Sequence, residues 1–327
     1  MSKLKLNFTA GLYDRMQALY TREVEPEGID LNFVVNDDPR NIFNRMLGTQ
    51  EFDVSELSMS DYLARLSVEK EKTPFVAIPI FPSRCFRHGF ITVDTRKGIL
   101  KPKDLEGKRV GLPRYTMTAS VWIRGLLQHE YGVDLSTINW VEGAINRTGE
   151  HGEPDIVPLV RKVPITANET GKSLSQLIDE GELDAIIGTS LPESRRHNPY
   201  IRRLFPDFRE IEKAYYGRTG IFPIMHCISI RRSTYEANPW IAKSLYRAFT
   251  ESKKIALDRM RYVGALRYML PWMTADLDEI DQLFGQDPWV YGLEENRHTL
   301  ETFMKYQVDH GIIKEALPIE DLFVSVE

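Results

Sequence analysis

Cysteine is scarce: Cys85 and Cys227 are the only two in 327 residues. Two thiols cannot form a disulfide framework, and both sit in apolar or Arg-rich runs, so the expectation is buried, reduced thiols. Long hydrophobic runs are also missing. The longest are strand-length, well short of the ~20 residues a spanning helix needs, which gives an expectation of no membrane partner. The start, Met1-Ser2-Lys3-Leu4-Lys5-Leu6-Asn7-Phe8, lacks the apolar core of a signal peptide, so a cytoplasmic location is expected. An excess of positive charge is absent too. Lys and Arg number 42 against 47 Asp and Glu, a formal net charge of −5. A nucleic-acid partner is therefore not expected, and any anion must be recognised by a local cluster of cations. There is no Walker phosphate loop, no glycine-rich dinucleotide fingerprint, no zinc-protease helix and no Gly-x-Ser-x-Gly elbow.

What is present is ample core material, with 42% hydrophobic residues, and a repeated strand–helix alternation. Strands are predicted over Lys3–Thr9, Ile29–Val35, Phe52–Leu57, Phe75–Ile80 and Gly89–Val93. Helical periods separate them over Gly11–Tyr20, Pro39–Leu47 and Met59–Ser67. After the turn-rich Lys101–Gly107 the pattern restarts. It gives a strand at Lys108–Leu112, a helix at Thr116–Tyr131, strands at Ile138–Glu142 and Leu183–Gly188, and a helix at Ser173–Glu180. Ile221–Ile230 is one more strand, and helices follow from Asn238-Pro239. The alternation implies two α/β units with largely parallel sheets. The expected lobes are residues 1–111 with 222–327, and an inserted lobe of residues 112–221. Open α/β sheets bind ligands at the carboxyl ends of their strands, here in a cleft between the lobes.

Several strand ends carry chemistry-bearing residues. Arg84, Arg87 and His88 follow the strand Phe75–Ile80; guanidinium groups pair with carboxylates, and a histidine exchanges protons near neutral pH. Pro113-Arg114-Tyr115-Thr116-Met117-Thr118 joins a strand to a helix start, where free N–H groups, two hydroxyls and a guanidinium favour an anion. Thr116 could equally be a simple helix cap. Ser58 and Glu56 end a third strand, and Thr189 closes a fourth. His226 lies in the strand Ile221–Ile230, which returns from one lobe to the other. His151 and Glu153 fall in the long polar stretch Gly143–Thr170, a candidate lid.

Three segments carry a family resemblance: Tyr115-Thr116-Met117-Thr118-Ala119-Ser120-Val121-Trp122-Ile123-Arg124-Gly125-Leu126-Leu127, Phe81-Pro82-Ser83-Arg84-Cys85-Phe86-Arg87-His88-Gly89 and Phe222-Pro223-Ile224-Met225-His226. Together they resemble the 4,5-dihydroxyphthalate decarboxylase family. The turn Asp104–Pro113 is similar to the interlobe segment of type II periplasmic-binding-protein-like domains. The resemblance implies a two-lobed fold of that type and loss of one carboxylate from a hydroxylated aromatic dicarboxylate. For that chemistry a base must take a phenol proton, an acid must protonate the ring carbon, and cations must hold the retained carboxylate. The expected roles are Arg84 and Arg114 as carboxylate clamps, with Arg87, Thr116, Thr118, Ser58 and Thr189 as further substrate contacts. His88 is expected as the proton donor, with Glu56 or His226 at the phenol. No cofactor is expected; a divalent metal on the adjacent hydroxyls stays open, with no clear ligand set. The partner is a small aromatic carboxylate, and the alternative is a solute-binding protein that closes on such a ligand without reaction. Trp272 and Trp289 are candidate contacts of a homo-oligomer, or equally core.

Overall fold

The computed structural model describes residues 2–151 and 157–326. Its strands are β1 Leu4–Ala10, β2 Ile29–Val35, β3 Val54–Ser58, β4 Phe75–Arg84, β5 Ile91–Asp94, β6 Arg109–Leu112, β7 Asn139–Glu142, β8 Ile165–Ala167, β9 Ala185–Ile187, β10 Ile201–Arg203 and β11 Ile224–Arg231. The helices are α1 Gln17–Tyr20, α2 Pro39–Thr49, α3 Met59–Glu69, α4 Thr118–His129, α5 Leu174–Asp179, α6 Phe208–Thr219, α7 Arg232–Ala237, α8 Ile241–Arg261, α9 Met273–Phe284 and α10 Arg297–Asp309.

Two mixed sheets organise these elements. The first runs β2-β1-β3-β11-β4 and the second β10-β5-β9-β6-β7-β8. In the first, β1 pairs in parallel with β2 and β3, while β11 lies antiparallel between β3 and β4. In the second, β6, β7, β8 and β9 form the parallel part, and β5 and β10 extend it antiparallel. All five residues of β3 are buried, as expected of a central strand covered on both faces. The result is a two-lobed α/β fold.

The first passage between sheets comes earlier than expected. The chain leaves β4 at Arg84, enters the second sheet at Ile91, and returns between Arg203 and Ile224. The boundary expected near Leu112 shifts because the strand predicted at Gly89–Val93 pairs with β9 and β10, not with the first sheet. The short β8 and β10 and the helix α6 had no counterpart in the sequence reading. Three-residue strands carry too little period to stand out.

Local chemistry explains the helix starts that matter most. The Asp38 carboxylate accepts from the Arg40 and Asn41 amides (3.0 and 3.3 Å), with Pro39 in the first turn, and so opens α2. The Ser58 hydroxyl accepts from the Asp61 amide (3.3 Å) and opens α3. Helix α4 joins the two cores. Ala119, Trp122 and Leu126 pack into the first, while Ile123 and Leu127 pack into the second. The Trp122 indole donates to the Ile224 carbonyl (2.8 Å) and stacks on Phe303, ring centroids 5.1 Å apart.

Gly125 lets α4 approach α10 closely, since a Cβ there would sit 2.0 Å from the Tyr306 ring. Gly125→Ala is therefore expected to lower stability by roughly 1–3 kcal/mol through overpacking. The check is a shifted denaturation midpoint with an unchanged slope.

Candidate active site

Strand pairing brings Glu56 and His226 together from positions 170 residues apart. His226 pairs with Ser58, and Ile228 with Glu56, so the two side chains are diagonal neighbours on one face. Glu56 is fully buried, and its carboxylate is compensated on several sides. The His226 Nδ1 lies 2.5 Å from Glu56 Oε1. The Tyr13 hydroxyl donates to the same carboxylate, 3.1 Å from each oxygen, and the Gly11 amide approaches at 3.5 Å. A buried carboxylate needs such donors. With Nδ1–H given to Glu56, the His226 Nε2 carries the lone pair, the tautomer a proton acceptor requires. Burial, reinforced by the Glu56 charge, holds the Tyr13 phenol well above its ordinary range, so it stays protonated as a donor. Gly11 makes room for this fold-back, because a Cβ there would stand 2.7 Å from the Tyr13 ring.

A run of contacts leads from this dyad to a group of cations. The Phe43 ring meets the His226 ring edge-on, centroids 5.0 Å apart. The Arg40 guanidinium lies over Phe43 at 5.5 Å. Its Nε and Nη1 are shielded from solvent and have no hydrogen-bond partner. Burial pulls both the Arg40 and the Arg114 guanidinium below the usual range, and for Arg114 the Arg40 charge adds to it. His151 joins them. Its carbonyl accepts from Arg114 Nη2 (3.4 Å), and burial with the Arg40, Arg114 and Arg147 charges brings its imidazole down to about 4. A neutral His151 beside three arginines is therefore expected near pH 7. Glu153 lies outside the described residues.

Thr118 and Ser58 bridge the starts of α3 and α4. Their hydroxyls are 3.1 Å apart, and the Ser60 amide donates to Thr118 Oγ1 at 3.1 Å. Helix α4 begins with Met117 at its cap and no side-chain hydrogen bond there, so Thr116 does not cap it. The buried Thr116 hydroxyl has no partner. Beneath this loop, Arg124 is fully buried, donates to the Tyr115 carbonyl (2.7 Å) and stacks 3.5 Å over the Tyr115 ring. Thr189 is exposed at the end of β9.

The basic segment after β4 is placed differently from the expectation. Arg84 spends both terminal nitrogens on the Phe222 carbonyl (3.0 Å), the Val290 carbonyl (2.7 Å) and the Asn296 side chain. Burial brings it down to about 10. A guanidinium tied to three chain segments is a structural brace, not a free carboxylate clamp. Arg87 is buried against Met225 Sδ (2.8 Å) and the Phe90 ring (5.0 Å). His88 lies in an aromatic box of Tyr131, Phe205 and Tyr215. Both its ring nitrogens lack hydrogen bonds, with Glu212 3.9 Å away. Among the described residues, no hydrogen bond links Arg84, Arg87 or His88 to the Glu56–His226 pair. The strand runs four residues beyond its predicted end, which turns these side chains into protein.

His88 makes an acid-stability prediction. Burial, then the Arg218 charge, lowers it to about 4 from an ordinary 6.5. The unfolded chain therefore binds this proton first, and stability falls as pH drops from about 6.5 toward 4. That loss is roughly 1–3 kcal/mol by linkage. His88→Phe is expected to flatten this part of the stability curve, measured by denaturant unfolding across that range. Turnover at pH 7 is expected to stay near the parent value.

Tyr13, Arg40, Phe43 and Arg147 were missed in the sequence. Arg40 had a usable signal, as it opens a helix directly after the strand Ile29–Val35. Among the described residues, no three or more His, Cys, Asp or Glu are grouped to hold a metal ion. No helix of the described residues is long and apolar enough to cross a membrane.

No protein-family model matches the chain. Its fold is similar to a putative periplasmic sulfonate-binding protein from Methylobacillus flagellatus KT, with a TM-score of 0.53 at 12% identity over 99% of this chain and 92% of that one. It is equally similar to the desulfurization enzyme DszB, with a TM-score of 0.53 at 14% identity over 98% and 96% of the two chains. These likenesses establish a periplasmic-binding-protein-like fold. Sequence relatives are much nearer. A 4,5-dihydroxyphthalate decarboxylase from Comamonas testosteroni is 37% identical over 99% of this chain and 97% of its own length. Another, from Pseudomonas putida, is 36% identical over 63% of this chain and 79% of its own. With similarity of that level running end to end, the chain belongs to the 4,5-dihydroxyphthalate decarboxylase family of carboxy-lyases.

Proposed function

We propose that this protein converts 4,5-dihydroxyphthalate to protocatechuate and carbon dioxide between its two lobes, with the Glu56–His226 pair handling the phenol proton. The observation that carries this reading is the buried Glu56 carboxylate fixing the His226 imidazole at 2.5 Å, one ring contact from a cation cluster. Family membership supplies the substrate.

The chemistry follows from the ring. Each carboxyl-bearing carbon is para to a hydroxyl. His226 Nε2 takes that hydroxyl's proton, and Glu56 stabilises the imidazolium that forms. The phenolate pushes electron density onto the para carbon, which takes a proton from solvent. The carbon–carbon bond then breaks, carbon dioxide leaves, and the bonding pair restores the aromatic ring. His226 returns its proton to the phenolate oxygen. Arg40 and Arg114 anchor carboxylate through charge-assisted hydrogen bonds, and the hydroxyls of Thr116 and Thr118 lie at the same helix start. The proton donor is thus assigned to water, since His88 is enclosed by aromatic rings.

The test is incubation with 4,5-dihydroxyphthalate in deuterated water. The expected result is carbon dioxide release with one deuterium on the protocatechuate ring at the vacated carbon. Tight binding with no carbon dioxide released would make the protein a solute binder and overturn the reading.

A further inference from the structure

A cavity of about 310 Å³ lies at Phe86 and Phe222, in the two segments that pass between the sheets, and Glu56 and His226 do not line it. Its walls are the aromatic rings of Phe86, Phe222, Phe284 and Trp289, with Leu257 and Met260 of α8. The volume is that of a small-molecule site. A second hollow shares Phe86, Met260 and Phe284 with it.

Charge decides what such a cavity accepts. Three cations edge it, and each is already matched. Arg15 pairs with Asp14 at 3.0 Å, Arg261 with Asp281 at 2.6 Å, and Lys253 with Asp287. The rim therefore offers no uncompensated charge to an anion. Four rings with one wall of aliphatic side chains favour a flat, apolar occupant through offset and edge-on stacking.

Two side chains, Arg15 and Tyr13, connect the cavity to Glu56. The Arg15 guanidinium is sandwiched between the Trp289 ring (4.5 Å) and the Tyr13 ring (4.3 Å), and it donates to the Pro82 carbonyl (2.6 Å). Tyr13 in turn holds Glu56. Trp289, Arg15 and Tyr13 thus form an unbroken run of contacts from the cavity wall to the Glu56 carboxylate.

We propose that this cavity binds a neutral, planar aromatic molecule at a site distinct from the substrate site. Indole is the probe. Titration calorimetry on the full chain is expected to give one site with a submillimolar Kd, not displaced by saturating phthalate. Leu257→Trp places a ring in the cavity and is expected to weaken indole binding by about tenfold or more. Met260→Trp, from the next turn of the same helix, serves if that variant does not fold. Absence of indole binding, displacement by phthalate, or unchanged binding in the folded filling variants would each overturn the proposal. These binding readouts do not depend on whether 4,5-dihydroxyphthalate is turned over.

Discussion

Replacing His226 by Gln is expected to lower kcat on 4,5-dihydroxyphthalate by roughly a thousandfold, the usual worth of a positioned general base. Gln keeps a donor toward Glu56 and a similar shape, so the strand pairing around it should persist. It cannot take the phenol proton. The loss should therefore fall on kcat, while binding of phthalate, which lacks the hydroxyls, changes by less than about threefold. Glu56→Gln tests the other half of the pair. An amide can donate to Nδ1 and so release the tautomer that leaves Nε2 free, and a neutral group no longer stabilises the imidazolium. A fall of roughly 10–100-fold in kcat is expected, as for other groups that orient a histidine. Steady-state kinetics with a phthalate inhibition constant separates the two effects. An unchanged kcat in His226→Gln would remove the dyad from the mechanism.

That dyad shows how much the sequence could say. Each member was visible at a strand end or in a returning strand, yet nothing in either segment shows that β11 lies antiparallel beside β3. The pairing of Ser58 with His226 is a tertiary fact, and a one-residue slip would have put the Glu56 and His226 side chains on opposite faces. The junction that carries Arg114 and Thr118 was legible because a strand-to-helix change announces itself locally. Arg40 was legible by the same logic, but its helix was read only as an element. Arg84, Arg87 and His88 show the opposite failure. Their composition reads as an anion site, but whether a guanidinium meets a ligand or a carbonyl depends on Phe222 and Val290, more than 100 residues away. The two-lobed architecture was legible because strand–helix alternation is strong. The point of passage was not, because Gly89–Val93 reads as a strand in either sheet.

Arg40→Met should separate anchoring from proton transfer. The Arg40 Nε and Nη1 are desolvated without a hydrogen-bond partner, so their solvation cost is met before any ligand arrives. A carboxylate that takes them gains charge-assisted hydrogen bonds of about 1.5–3 kcal/mol each. Met keeps most of the packing against Phe43 and removes those donors. KM for 4,5-dihydroxyphthalate is expected to rise roughly 10–100-fold, and phthalate binding to weaken by the same factor. The equal change on the two ligands follows because both carry the carboxylates that Arg40 is proposed to hold. Arg40→Lys keeps the charge but loses the planar fork, and should recover only part of the loss. Stability should not suffer, since removing a partly buried cation that lacks a partner at two of its nitrogens relieves a desolvation cost. A change confined to kcat, with phthalate binding intact, would place Arg40 outside the carboxylate anchor and leave Arg114 to carry it.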